Sequence, residues 1–168
     1  MTEKISYAKT VYGEDEIKAV VDCLRESTQM GKYSRSFEKK IASIFCKKDC
    51  LYVNSGSSAL LIGVEALSFP VGSEIITPAL TFGTTLSCIL KNDLIPVFVD
   101  VEPLTYCIDA EKIEQMVSSK TVAILAPDLL GNLCDWPKIR QIADKYDLRV
   151  IQDSADTLGA YLSGKPAG

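Results

Sequence analysis

Val150-Ile151-Gln152-Asp153-Ser154-Ala155-Asp156 is the stretch on which the reading of this chain turns. An apolar run enters a carboxylate and leaves through small residues, the pattern of a buried parallel strand that ends at Asp153. In open α/β sheets the carboxyl ends of the strands face the crevice where ligands bind. A carboxylate there can pair with a protonated ring nitrogen. Asp at a strand exit also serves as a helix N-cap, and this stretch alone leaves both readings open. Asp156 follows within one helical turn, so the two carboxylates would share a face if the segment turned helically.

Outward from this stretch the pattern repeats. Apolar runs at residues 50–53, 74–77, 95–101, 122–127 and 148–153 alternate with amphipathic stretches at 57–67, 82–92, 110–118 and 136–146. Strands alternating with helices imply crossover connections, which predicts an α/β fold with a mostly parallel sheet and helices on both faces. Residues 1–48 read differently, as an N-terminal helical arm. One helix over 13–27 places Ile17, Val20, Val21 and Leu24 at helical spacing, with its acidic residues early, where the helix dipole favours them. A second over 36–45 aligns Phe37, Ile41 and Ile44, and Gln29-Met30-Gly31 breaks the two. The arm is expected to pack on an α/β body spanning 49–168. After Asp153 no closing helix follows before Gly164-Lys165-Pro166-Ala167-Gly168, so the body is expected to be part of a larger domain.

Composition narrows the function classes. The 168 residues are 47% hydrophobic and 24% charged, which describes a globular domain. A net charge of −4 without any basic run argues against nucleic acid as a partner. No apolar run reaches the roughly 18 residues of a membrane span. Met1-Thr2-Glu3-Lys4 lacks the basic-then-apolar pattern of a leader, so a cytoplasmic protein is expected. Six cysteines (Cys23, Cys46, Cys50, Cys88, Cys107, Cys134) read as reduced and largely buried thiols. With one close pair and no histidine, neither a metal site nor a histidine-based triad is expected.

Other strand ends carry further candidates. In Asn54-Ser55-Gly56-Ser57-Ser58, small residues precede a helix whose first N–H groups can bind phosphate, although Ser-Gly-Ser also makes an ordinary capped loop. The stretch is neither a P-loop nor a G-x-G-x-x-G fingerprint. Phe82 follows the strand ending near Pro78 and can stack on a flat ring, or sit in the core beside a cap from Thr81. In Asp128-Leu129-Leu130-Gly131-Asn132, Gly131 suits a positive φ, and Asn132 is either a crevice amide or a turn former.

Taken in order, Asn54-Ser55-Gly56-Ser57, Pro78…Thr81-Phe82, Pro96-Val97-Phe98-Val99-Asp100-Val101, Thr105-Tyr106…Ile108-Asp109, Leu130-Gly131-Asn132 and Asp153-Ser154-Ala155-Asp156 resemble the DegT/StrS family, from about Tyr12 to Gly168. The resemblance implies a pyridoxal 5′-phosphate (PLP) dependent transferase of fold type I, aspartate-aminotransferase-like, present here as part of its large domain. It implies that Gly56 and Ser57 hold the cofactor phosphate, that Phe82 stacks on the ring and that Asp153 pairs with the pyridinium nitrogen. Asp156 stands near the ring hydroxyl, where the family more often has Gln, Glu or His. The Schiff-base lysine of the family lies beyond the position of Gly168. Lys165 matches a surface turn, so this chain alone is expected to be inactive. The implied whole protein is a homodimeric aminotransferase acting on a nucleotide-linked keto-sugar, with an amino donor such as glutamate. Leu130-Gly131-Asn132 and Asp156 look more like the 3-dehydrase branch, which is the first alternative. A truncated, non-catalytic cofactor-binding remnant is the second.

Overall fold

Four parallel strands form the centre of the molecule, described by a computed structural model over residues 9–26, 29 and 31–168. They are β1 (Glu74–Pro78), β2 (Ile95–Val99), β3 (Thr121–Pro127) and β4 (Arg149–Asp153), standing in the order β2-β1-β3-β4. β1 pairs with β2 from Glu74↔Ile95 to Pro78↔Val99, and β3 with β4 from Ala123↔Arg149 to Pro127↔Asp153. The β1–β3 ladder carries one irregularity, between Glu74 and Ile75.

The near-continuous apolar runs follow from burial on both faces. Successive side chains of a strand point to opposite sides. Ile75, Ala123 and Leu125 therefore pack with Val64 of α3 (Gly56–Ala66) and with Cys88 and Ile89 of α4 (Gly83–Lys91). Ile76, Ile124 and Ala126 pack on the other face, with Ile113 of α5 (Ala110–Ile113) and Ile139, Ile142 and Ala143 of α6 (Trp136–Lys145). The neighbouring strands β1 and β3 thus send their following helices, α4 and α6, to opposite faces. The C-terminal ends of two such strands diverge into a crevice.

Most expected elements are present, and the departures have local causes. Residues 50–53 form no strand: Leu51 is 83% exposed, and the Tyr52 N–H donates to the Glu38 carboxylate at 2.9 Å. A strand needs a neighbour to receive its backbone groups, and none of the described residues supplies one there. The strand expected over 95–101 ends at Val99, and Val101 makes an isolated antiparallel bridge with Ile108. The helix expected over 110–118 is a single turn followed by a 3-10 turn, Glu114–Met116. Ser118 then commits its N–H to Thr121 Oγ1 and its hydroxyl to Glu74, which draws the chain out of the helix.

The helices before the sheet are α1 (Glu14–Glu26) and α2 (Lys32–Ile44). Residue 27, where the first helix was expected to end, and Met30, in the middle of the expected break, lie outside the described residues. α2 begins four residues before the expected start. Glu26 holds its first turn, pairing with the Lys32 ammonium and accepting from the Tyr33 hydroxyl at 3.0 Å. The expected packing of the arm holds only in part. Ala42 of α2 is buried and Phe45 lies against Gly168, whereas Ile17, Val20 and Leu24 of α1 are exposed. Beyond β4, the chain ends in a hairpin of β5 (Tyr161–Leu162) and β6 (Lys165–Pro166). Ser163 and Gly164 both take positive φ in its two-residue turn, which is the backbone that tight hairpins require.

The cysteines divide evenly: Cys88, Cys107 and Cys134 are buried, while Cys23 and Cys50 are half-buried and Cys46 is exposed. Six largely buried thiols were expected, so the correction concerns the three before the sheet, where little core surrounds them. No helix among the described residues is long and apolar enough to cross a membrane.

Candidate functional site

A cleft of ≈ 540 Å³ opens at the C-terminal ends of β1, β3 and β4. Gly56, Ser57, Phe82, Asp153 and Asp156 all line it, together with Thr85, Asp128 and Leu130. Five residues singled out across a hundred positions of sequence are therefore neighbours of one space.

Each reaches the cleft by a local route. Ser55 is the N-cap of α3, its hydroxyl accepting from the Ser58 N–H at 3.1 Å. That cap presents Gly56 and Ser57 in the first helical turn, where backbone N–H groups have no intrahelical acceptor and the helix dipole favours an anion. A Cβ placed on Gly56 would meet nothing within 4 Å, so no contact inside the chain demands a glycine there. Phe82 is the N-cap residue of α4, with extended backbone and a ring that is 72% exposed. It is a rim residue and not the core alternative, and Thr81 is not the cap. In the first turn of α4, Thr85 is fully buried with its hydroxyl unpartnered.

Asp153 ends β4 half-buried. The helix-cap alternative does not hold, because turns and no helix follow it. Its carboxylate accepts one bond, from the Ala155 N–H at 3.1 Å. Burial pushes its pKa above the ordinary carboxylate value, partly offset by the Ala155 N–H and reinforced by the charges of Asp156 and Asp128. The same surroundings push the buried Cys88 thiol up to about 11, mainly by desolvation. Asp156 lies in the next turn, not on a shared helical face. Its carboxylate accepts from the Leu130 N–H at 3.3 Å and ties the loop after β3 to the loop after β4. Leu130 and Gly131 take φ of 55° and 85°, so the expected positive φ at Gly131 extends to its neighbour.

Asn132 does not line the cleft; its amide donates to the Thr105 carbonyl at 3.0 Å, which makes it a turn-holding residue. Lys165 is exposed on β6, and no lysine or arginine is among the residues lining the cleft. The residue that sequence reasoning passed over is Asp128. It is 1% exposed on the cleft floor, at the end of β3, and only its place directly after an apolar strand could have marked it.

A pH effect follows from Asp153. A carboxyl whose pKa is raised in the folded state favours folding below its ordinary value of 3.8, and that contribution is lost as pH rises through the folded value. At neutral pH, without a cationic partner, its charge is therefore destabilising. Asp153→Asn is expected to raise the melting temperature of the ligand-free chain at pH 7 and to change it less at pH 3.5. Thermal melts at the two pH values check this, and an equal shift at both contradicts it.

Comparison with known proteins agrees with the geometry. The profile of the DegT/DnrJ/EryC1/StrS aminotransferase family matches residues 11–168. The chain is 36% identical over 158 residues to a 3-oxo-glucose-6-phosphate:glutamate aminotransferase of Bacillus subtilis (strain 168), covering 91% of this chain and 36% of that protein. It is 38% identical over 167 residues to the lipopolysaccharide biosynthesis protein RfbH of Salmonella typhimurium, covering 94% of this chain and 38% of that one. Among solved structures, E. coli GDP-4-keto-6-deoxy-D-mannose-3-dehydratase with bound hydrated PLP superposes with a TM-score of 0.91 at 33% identity, over 96% of this chain and 43% of that chain. The chain thus spans less than half the length of these relatives. A shared sheet, a cleft at its carboxyl edge and a profile match over nearly the whole chain lead to one conclusion: the chain belongs to the DegT/DnrJ/EryC1/StrS aminotransferase family.

Proposed function

We propose that this chain supplies the cofactor-binding face of a PLP-dependent enzyme that transfers an amino group from a donor such as glutamate to a nucleotide-linked keto-sugar. The observation that carries the reading is the convergence of Gly56, Ser57, Phe82, Asp153 and Asp156 on one cleft. The donor set suits PLP. Uncommitted N–H groups at the start of α3 suit a phosphate, and the absent side chain at Gly56 allows close approach. The exposed ring of Phe82 suits the face of a flat heterocycle. Asp153, half-buried and without a cationic partner, suits a ring N–H⁺.

Bound there, PLP supplies an electron sink for chemistry at the substrate carbon. The chain's own residues bind and orient. Gly56 and Ser57 anchor the phosphate, Phe82 restricts tilt of the ring, and Asp153 holds a proton at the ring nitrogen because the ion pair stabilises both charged forms. Asp156, already engaged by Leu130, would stand near the ring hydroxyl. The reading carries with it a homodimeric assembly in the cytoplasm, with residues 1–48 as a helical arm and 49–168 as the cofactor-binding body.

A second reading, a 3-dehydrase acting on a nucleotide-linked 4-keto-6-deoxyhexose, is favoured by the Leu130-Gly131-Asn132 turn and by Asp156. The likeness to the E. coli dehydratase supports it as well. One assay separates the two. The whole protein is incubated with PLP, glutamate and a nucleotide-linked 4-keto-6-deoxyhexose, and the sugar product is weighed by mass spectrometry. An amino-sugar product supports the transferase, and a deoxygenated sugar supports the dehydrase. The absence of both, with no PLP retained, contradicts the cofactor reading.

A further inference from the structure

Asp128 is the most deeply buried carboxylate at the cleft, and the roles above leave it without one. Its Oδ1 accepts from the Cys134 N–H at 2.8 Å and from the Trp136 indole N–H at 2.9 Å; its Oδ2 accepts from the Gln152 amide at 2.6 Å. The Cys134 N–H and the Trp136 indole can only donate, and the Gln152 amide donates as placed, a set of partners that suits an acceptor-only carboxylate. No cation pairs with it among the described residues. Charge-assisted hydrogen bonds hold a full negative charge beneath the cleft. A neutral amide would meet most of these donors at a lower desolvation cost.

The network also reaches Asp153 directly. The Asp128 N–H donates to the Asp153 carbonyl at 2.9 Å, extending the β3–β4 ladder by one bond beyond Pro127↔Asp153. Gln152, held by Asp128, is the residue immediately before Asp153. The backbone and the side chain of one residue thus fix the strand end that carries the cofactor-facing carboxylate. Asp128, Asp153 and Asp156 line the cleft, and no basic side chain does.

Resting on the cofactor reading above, we infer that Asp128 is a positioning residue: its buried network orients the end of β4, and its charge makes the Asp153 site selective for a cationic ring nitrogen. Like charges close together favour the protonated state of either one, and they favour a cation seated between or beside them. The charged and titratable groups around Asp153 are Asp156 on its own loop, Asp128 directly after β3 and the Cys88 thiol on α4.

The test is Asp128→Asn in the full chain, a near-isosteric change that Gln152 can accommodate by turning its amide. Two readouts are taken. Carboxyl ¹³C NMR follows the titration of Asp153 without cofactor, and calorimetric titration with pyridoxamine 5′-phosphate, a probe that needs no anchoring lysine, is run across pH. The expected results are a shift of the Asp153 titration toward its ordinary range and about a tenfold loss of probe affinity at neutral pH. The upper limb of the binding profile should also move to lower pH. A purely packing role would change the melting temperature and leave both titrations in place, and that outcome overturns the inference. If the variant does not fold, Gln152→Met removes one donor and keeps the charge; a several-fold loss of probe affinity supports the positioning role, and no loss overturns it. If the unaltered chain binds no probe, the cofactor reading fails instead, and the Asp153 titration alone decides the role of Asp128.

Discussion

Replacing Asp153 by Asn in the whole protein is expected to lower kcat by about 10²–10³-fold, the scale on which a preorganised electrostatic partner acts. The side chain keeps its size and can still accept from the Ala155 N–H. It loses the charge that, on the proposed reading, would keep a proton on the ring nitrogen. The neutral amide could not hold a proton at that nitrogen, and the electron-sink chemistry that PLP would supply should weaken accordingly. On the proposed reading the phosphate would be held separately, by Gly56 and Ser57, so PLP should remain partly bound. The same substitution should stabilise the ligand-free chain at pH 7, since it removes a half-buried, unpaired charge. Lower turnover with higher stability is the signature of a residue kept for chemistry. Steady-state kinetics with retained PLP absorbance checks the first half, and near-normal turnover would reduce Asp153 to a turn-former.

Leu125→Ala should have the largest effect on stability. Leu125 is fully buried in β3, between β1 and β4, and packs in the cluster that joins Ile75 to α3 and α4. Truncation removes apolar contact and leaves a cavity that a sheet strand cannot relax to fill. The expected cost is about 2–5 kcal/mol. At about 2–4 °C per kcal/mol for a chain of this size, the melting temperature should fall by roughly 5–15 °C. The cluster also seats the helices whose first turns border the cleft, so affinity for pyridoxamine 5′-phosphate should fall alongside stability. Denaturant unfolding measures the loss, with Leu51→Ala at an 83% exposed position as the control. A loss below about 1 kcal/mol would show that the site closes around the smaller side chain.

The sheet was legible because burial on both faces writes itself into composition. Ile75-Ile76, Ala123-Ile124-Leu125-Ala126 and Val150-Ile151 need no alternation to be read as strands. Turn chemistry was legible at Gly131, whose positive φ acts through neighbours in sequence, whereas the caps considered at Thr81 and Asp153 are not caps, and Asp135 before α6 was not read as one. The run at residues 50–53 has the same apolar character and forms no strand, because a strand also requires a hydrogen-bonding neighbour, which no local pattern encodes. The stripe of α1 likewise shows helical period without showing what covers it.

For the site, the sequence by itself marked Gly56 and Ser57 at the start of a helix, Phe82 in the loop after β1 and Asp153 at the end of β4 as candidates. The tertiary structure decided their company. It set β1 beside β3 with following helices on opposite faces, and so opened the cleft between their ends. It brought Asp128, Cys134, Trp136 and Gln152 into one network and turned Asp156 toward Leu130. Local chemistry acts over a few residues and can be read along the chain. Charge, desolvation and hydrogen bonding at the cleft act through space, between residues as far apart in sequence as Gly56 and Asp156, and only the register of the sheet brings them together.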